Sequence, residues 1–330
     1  MKSLNKFQQS LSLKEKNLLK INSVARFFIE ISDLDDLNSI QDFVTEKKIS
    51  FCTLGEGSNV VLPNLIDKLV ISISYDEIIV EENLITVGAG KNWDDFVVWS
   101  LKNGYSGLEN LSGIPGSVGA APIQNIGAYG SEVSHFIEEV ICFDVELNEF
   151  ISFTNSECNF SYRKSIFQKQ SSLVIIKVKF KLSKDFIPNL EYEDLNPLKE
   201  DNISPIMIRE HILKVRNAKI SDPRICPNVG SFFKNPIISR NELEKIKQIN
   251  PSIKYNSYLD NKVKISAAFL IESLNLKGFT LKNAKVSDKH SLVLENKSEK
   301  PKDILDLASH IQSLVLDNYK INLEIEPLIF

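Results

Sequence analysis

The stretch GSFFKNP, residues 230–236, sets one hydroxyl, Ser231, between a glycine and two phenylalanines, with Lys234 and Asn235 just beyond. A serine beside glycine is also an ordinary turn residue, and the residue types alone leave both readings open. Two glycine-rich stretches, LGEGSNVVLP (54–63) and GLENLSGIPGSVGAAPIQNIGAYG (107–130), raise a second possibility. Glycines let a backbone approach a ligand closely and aim successive N–H groups at phosphate oxygens, forming a nest. In the first stretch β-branched residues and Pro63 follow, so the helix that a dinucleotide fingerprint or a P-loop requires is missing. The second holds six glycines in 24 residues. Its Ile114-Pro115, Val118, Ile126 and Tyr129 ask to be packed, unlike a flexible linker. It reads as an ordered loop for a diphosphate, with Ser117, Asn125 and backbone amides as donors, although tight turns of a β domain explain glycines equally well.

The elements that must position these residues change along the chain. In the first half, Ser50–Leu54, Leu69–Ser72, Leu84–Val87, Val140–Asp144 and Leu173–Leu182 are β-branched or aromatic runs with strand character. Between them, Asn92 followed by an acidic turn and an apolar face, closed by Asn103-Gly104, predicts a helix. The second half predicts helices from Ser204-Pro205 with Ile208, Ile212 and Val215 inward, from Ser266 through Leu274 to Gly278, and from Pro301 through Val315. An α+β region thus follows a β-rich one, with a boundary in 222–227.

Across 330 residues the chain is 43% hydrophobic and 25% charged, with a net charge of −4. This disfavours broad nucleic-acid or anionic-membrane binding and leaves room for a local cationic pocket. The polar opening segment and the lack of a bilayer-length apolar run predict a soluble cytoplasmic protein. Cys52, Cys142, Cys158 and Cys226 are scattered, without metal-ligand spacing, and no metal site is expected.

Taken in order, LGEGSNVV, GLENLSGIPGSVGAAPIQNIGAYG, YRKSIF (162–167), GSFFKNP, AAFLIE (267–272) and LEIEPLIF (323–330) resemble the UDP-N-acetylenolpyruvoylglucosamine reductase family, in its type with a substrate-loop tyrosine. The resemblance implies an α+β fold with a two-part FAD-binding domain of the vanillyl-alcohol oxidase (PCMH) type, followed by an α+β substrate-binding domain. The implied limits are 1–220, with a subdomain boundary near 68, then 221–319, and a terminal strand at 320–330 returning toward the flavin domain. FAD is expected against Gly55, Gly57, Ser58 and Asn59, and against Gly113, Ile114, Pro115, Gly116, Ser117, Gly119, Asn125, Gly127, Ala128 and Tyr129.

The implied reaction is NADPH-dependent reduction of an enolpyruvyl ether of UDP-N-acetylglucosamine to the lactyl ether, in peptidoglycan precursor synthesis. By matching motif, Ser231 is the proton donor and Arg163 the electrostatic partner of the substrate carboxylate. In LEIEPLIF, alternation turns Glu324 and Glu326 to one face and spacing cannot choose between them; the motif selects Glu326. The family usually has proline before this glutamate, whereas here Ile325 precedes it and Pro327 follows. Tyr192, Lys219, Asn235 and His290 match substrate-contacting positions, and Lys234 is left as a structural neighbour. The expected partner is a small molecule only, for a chain acting as a monomer. Two alternatives stand beside this reading: an FAD-dependent oxidase or dehydrogenase of the same fold, and a catalytically silent nucleotide-sugar binder.

Overall fold

The computed structural model describes residues 6–199 and 202–330. Its contacts divide the chain into two compact units: Met1–Ser12, Val24–Gly57 and Leu65–Arg216 form the first, and Leu13–Ser23, Ser58–Asn64 and Asn217–Phe330 the second.

The first unit carries two sheets. In one, Gln8–Ser12, Val24–Ile31, Leu65–Ile73 and Phe51–Thr53 lie side by side in that order. Val24–Ile31 and Phe51–Thr53 both run parallel to Leu65–Ile73, and helix α1 (Asn38–Lys47) forms the crossover between the outer two. Residue 68 lies inside Leu65–Ile73, so the expected subdomain boundary near 68 falls mid-strand, and the chain leaves this sheet only after Ile73. The other sheet is antiparallel, ordered Glu149–Thr154, Ile137–Asp144, Leu173–Lys181, Leu84–Gly88 and Ile78–Glu81. Its core gathers Ile85, Val87, Val140, Val178 and Phe180 against Trp93, Phe96 and Val97 of helix α2 (Trp93–Lys102). The Asn92 side chain accepts from the Asp95 N–H at 3.0 Å and caps α2. Helix α3 (Pro205–Lys219) buries Ile208 and Ile212, and the division between units falls in its last turn.

The second unit packs helices α4 (Arg240–Ile249), α5 (Ala267–Ser273) and α6 (Pro301–Tyr319) around short sheets. Ile304, Leu307, Ala308, Ile311 and Val315 are fully buried, as the spacing predicts. Helix α5 is shorter than expected: Ser266 caps it, but it ends at Ser273, and Asn275 then turns left-handed with φ 57°. The expected terminal strand is also shorter. Ile325 makes a single bridge to Phe233, Pro327 has no N–H with which to extend it, and the strand proper is Leu328–Ile329, parallel to Val60–Val61. No described helix is long and apolar enough to cross a membrane.

Candidate active site

In the first unit the two glycine-rich stretches meet. A Cβ on Gly55 would lie 2.9 Å from the Ser117 Oγ, so glycine lets the two loops approach this closely without displacing that hydroxyl. Ser117 is bridged to Asn92 in the manner of a non-hydrogen-bonded pair: the Trp93 N–H donates to Gly116 O and the Val118 N–H to Lys91 O, both at 2.8 Å. That pairing turns the Ser117 amide away from its neighbour strand. Gly57, Gly113 and Gly116 have φ of 63°, 71° and 128°, conformations that glycine adopts without strain. Gly119 is held by packing, since a Cβ there would lie 2.5 Å from that of Ala89. Ile114 packs partly into the core and Pro115 faces outward. A backbone amide turned outward at Ser117, among glycines that let a ligand approach closely, is the kind of donor that a dinucleotide diphosphate requires, and these residues fit FAD.

Asn125 has a structural task. It is fully buried with φ 44°; its Nδ2 donates to Glu132 Oε2 at 2.7 Å and Ser161 O at 3.2 Å, and its Oδ1 accepts from the Ser134 N–H at 3.0 Å. Its side-chain amide therefore knots the loop rather than facing outward. Gly127-Ala128 pairs with Ser131-Glu132 in a tight hairpin, and Tyr129, with φ 47°, is buried at its turn. Burial pushes the Tyr129 hydroxyl up to about 12.

Arg163 sits at φ 56° in a turn closed by reciprocal Ser161 and Lys164 backbone bonds. Its Nη2 donates to Gly127 O at 2.7 Å and its Nη1 to Asn125 O at 3.4 Å, and it lies over the Tyr162 ring. A Cβ on Gly127 would come within 3.0 Å of Nη1, so that glycine clears the space the guanidinium fills. Tyr192 is exposed and meets Tyr129 edge to face, with ring centroids 5.4 Å apart. Partial desolvation of its hydroxyl end, then Asp194 and Glu193, raise that hydroxyl above the ordinary tyrosine value.

A charge cluster beside Gly113 escaped sequence reasoning. Arg209 forks onto Asp94 at 2.6 and 2.7 Å, and the Gly113 N–H donates to the same carboxylate at 2.6 Å. Burial works against the Asp94 charge, yet the Arg209 and Gly113 bonds hold its carboxyl below the ordinary range. Arg216 lies against the same glycine: a Cβ there would stand 3.2 Å from its Nε. Burial lowers its guanidinium below the usual value, against the pull of Tyr129 and Asp94. One carboxylate against two arginines leaves a partly buried positive surplus. The signal in the sequence was the seven-residue spacing of Arg209 and Arg216, which places both on one face of α3.

In the second unit three segments interleave. Ser231 bridges Val293, and the Phe232 N–H donates to Leu292 O at 2.8 Å. On the other side Phe233 bridges Ile325; the Glu326 N–H donates to Phe232 O at 3.0 Å and the Lys234 N–H to Glu324 O at 2.9 Å. Backbone pairing thus brings the segments of Ser231 and Glu326 side by side, Glu326 on Phe232 and Ser231 on Val293, with His290 on the neighbouring turn, where its Nδ1 accepts from the Leu292 N–H at 3.2 Å. Phe232 and Phe233 are 0% and 1% exposed and anchor this backbone in the core. Glu324 is exposed and ion-paired to Lys234 at 3.1 Å, whereas Glu326 is half-buried. Two carboxylates one bridge apart therefore have different surroundings. Asn235 Oδ1 accepts from the Ala267 N–H at 3.0 Å at the start of α5. Lys219 is half-buried at the end of α3, and Asn59 O accepts from the Leu328 N–H at 3.0 Å, next to Ser58.

The C-terminal domain model of UDP-N-acetylenolpyruvoylglucosamine reductase matches residues 221–330, and an FAD binding domain model matches residues 25–145. The reductase of Polynucleobacter asymbioticus is 37% identical over 98% of this chain and 96% of its own length. That of Idiomarina loihiensis is 38% identical over 96% and 95%. This chain belongs to the UDP-N-acetylenolpyruvoylglucosamine reductase family. A solved reductase of this name from Thermus caldophilus shares the fold, with a TM-score of 0.70 and 22% identity over 97% of both chains.

Proposed function

We propose that this chain is the NADPH-dependent flavoenzyme that reduces UDP-N-acetylglucosamine enolpyruvate to UDP-N-acetylmuramate, acting in the cytoplasm as a monomer. The observation that carries the reading is the backbone pairing of the GSFFKNP segment with both the Leu292-Val293 and the Ile325-Glu326 segments, which brings the stretches carrying Ser231 and Glu326 side by side, with Phe232 and Phe233 buried. In this reading residues 1–220 carry the cofactor, 221–319 the substrate, and 320–330 return Glu326 to the chemistry.

When bound and reduced by NADPH, FAD would supply the hydride. Gly55, Gly57, Ser58, Asn59 and the 113–129 loop hold the cofactor. Addition across the enolpyruvyl double bond needs one hydride at the vinyl carbon and one proton at its neighbour. Ser231 delivers that proton from its Oγ, held in place by the Phe232 and Val293 pairing. Arg163 faces the substrate carboxylate as charge grows onto it; its grip on Gly127 O fixes the plane of the fork beforehand. Glu326 is the carboxylate beside the reacting centre. Tyr192, Lys219, Asn235 and His290 bind the nucleotide sugar, with lysine meeting the diphosphate as a point charge.

Ser231→Ala separates the half-reactions. Flavin reduction by NADPH stays near the parent rate, and reoxidation by the enolpyruvyl substrate slows by about 10³-fold. Equal loss in both half-reactions removes Ser231 from the donor role.

A further inference from the structure

Asn110 belongs to none of the roles above. It lies in the short turn Glu109–Leu111, 1% exposed. Its Nδ2 donates at 2.8 Å to Tyr129 O and at 2.9 Å to Asn189 O. One amide therefore spans two segments far apart in sequence: the end of the glycine-rich loop and the stretch carrying Tyr192. The connection is doubled, because Asn189 Nδ2 donates back to Gly130 O at 3.1 Å. It is also closed by the rings, with Tyr129 edge-on to Tyr192 at 77°. Gly130 has φ 79°, and a Cβ on it would stand 3.7 Å from the Asn189 amide and from Tyr192 Cβ. The rest of the Tyr192 stretch rests on a small apolar patch, Leu195 and Leu190 against Ile208 and Ile212, separate from the main cores. Tyr192 itself stays 42% exposed, a large ring presented outward on a segment pinned from behind.

We infer that Asn110 is a positioning residue that latches the Tyr192 segment to the Tyr129–Gly130 turn, so that ordering of the glycine-rich loop by FAD and placement of Tyr192 on the nucleotide sugar are coupled. The substrate half of this statement rests on the function proposed above; the latch itself does not. A buried amide with both N–H groups engaged has two discrete states, bridged or broken, and breaking it orphans two carbonyls at once. Coupling through such an element is reciprocal: whatever FAD does for the segment, an occupant of the segment does for FAD.

The test is hydrogen exchange of the peptide spanning 186–195, with and without FAD, in the full chain. FAD slows exchange there by about tenfold in the parent, and Asn110→Ala loses that protection. In the same variant KM for the enolpyruvyl substrate rises about tenfold while kcat stays within about twofold, the split expected of a residue that places Tyr192 without touching the reacting atoms. Asn189→Ala removes the return bond to Gly130 O together with a 3.4 Å acceptor for the Glu191 N–H, leaves both Asn110 bonds in place, and shows the same pattern in smaller size. Equal protection in parent and both variants, or no FAD-dependent protection in the parent, overturns the latch. A parent with FAD-dependent protection but no enolpyruvyl turnover sinks the functional reading and leaves the latch standing.

Discussion

The cofactor loop of the first unit and the GSFFKNP segment of the second hold their polar groups in opposite ways. Around Arg163 the backbone is bent: Asn125, Tyr129 and Arg163 all adopt left-handed conformations at a cost of roughly 1–2 kcal/mol each. Side-chain-to-carbonyl bonds, such as Asn125 to Ser161 O and Arg163 to Gly127 O, compensate for the strain. Around Ser231 the positive φ falls on Gly230, and the anchor is two buried phenylalanines whose rings meet at 5.6 Å. A network of directional bonds can be released by one substitution, whereas an apolar anchor fails only with its core. Substitutions in the loop network should therefore cost function without the fold, and substitutions at the phenylalanine anchor should cost both together.

The largest effect expected from this contrast is at the apolar anchor. Phe232→Ala opens a cavity in the second unit's core and costs about 3–5 kcal/mol, read as a lower denaturation midpoint together with lost activity. A stable but inactive Phe232→Ala protein would mean that the ring shields the chemistry and does not anchor the backbone. Next in size is Arg163→Lys, which keeps the charge and loses the fork onto Gly127 O. Reoxidation of reduced flavin by substrate falls about 10²-fold, with the thermal midpoint within about 2 °C of the parent. A large drop in the midpoint would make Arg163 a fold residue and erase the contrast.

The smallest effect concerns Glu109, 2% exposed, whose Oε2 accepts from the Gly107 N–H at 2.6 Å. Burial raises its carboxyl above the ordinary value. The folded chain then keeps a proton that the unfolded chain has released, so this group's stabilisation is full below the unfolded pKa and is lost as pH rises through the folded one. Glu109→Gln retains an acceptor for Gly107 and removes that penalty. Its midpoint at pH 8 rises by roughly 2 °C and the gain vanishes near pH 4, in paired thermal melts. An unchanged pH dependence would show that the carboxylate is satisfied when charged.

Much of this organisation was legible where the cause is local. Asn92 and Ser266 cap the helices their spacing announces, and Ile304 through Val315 line the buried face of α6. The GSFFKNP and LEIEPLIF stretches that carry the family motifs lie side by side in the fold, through the Phe233–Ile325 bridge and the Glu326 N–H bond to Phe232 O. What escaped depends on contacts distant in sequence. Residues 13–23 and 58–64 cluster with the C-terminal unit because Leu19, Ile21 and Val61 complete its core, and nothing in their own spacing says so. Asn125 read as an outward donor because its type suits one, but its left-handed backbone turns the amide inward onto Glu132 and Ser161. Asp94 looked like an acidic first turn and no more; only the fold brings Arg209 onto it, 115 residues away.

The central claim is tested most directly by anaerobic NADPH oxidation with the FAD-loaded protein, with and without UDP-N-acetylglucosamine enolpyruvate. Sustained turnover only in the presence of that substrate, with UDP-N-acetylmuramate formed in equal amount, is the predicted result. Flavin reduction that stops after one equivalent with the substrate present, or no reduction at all, would contradict it.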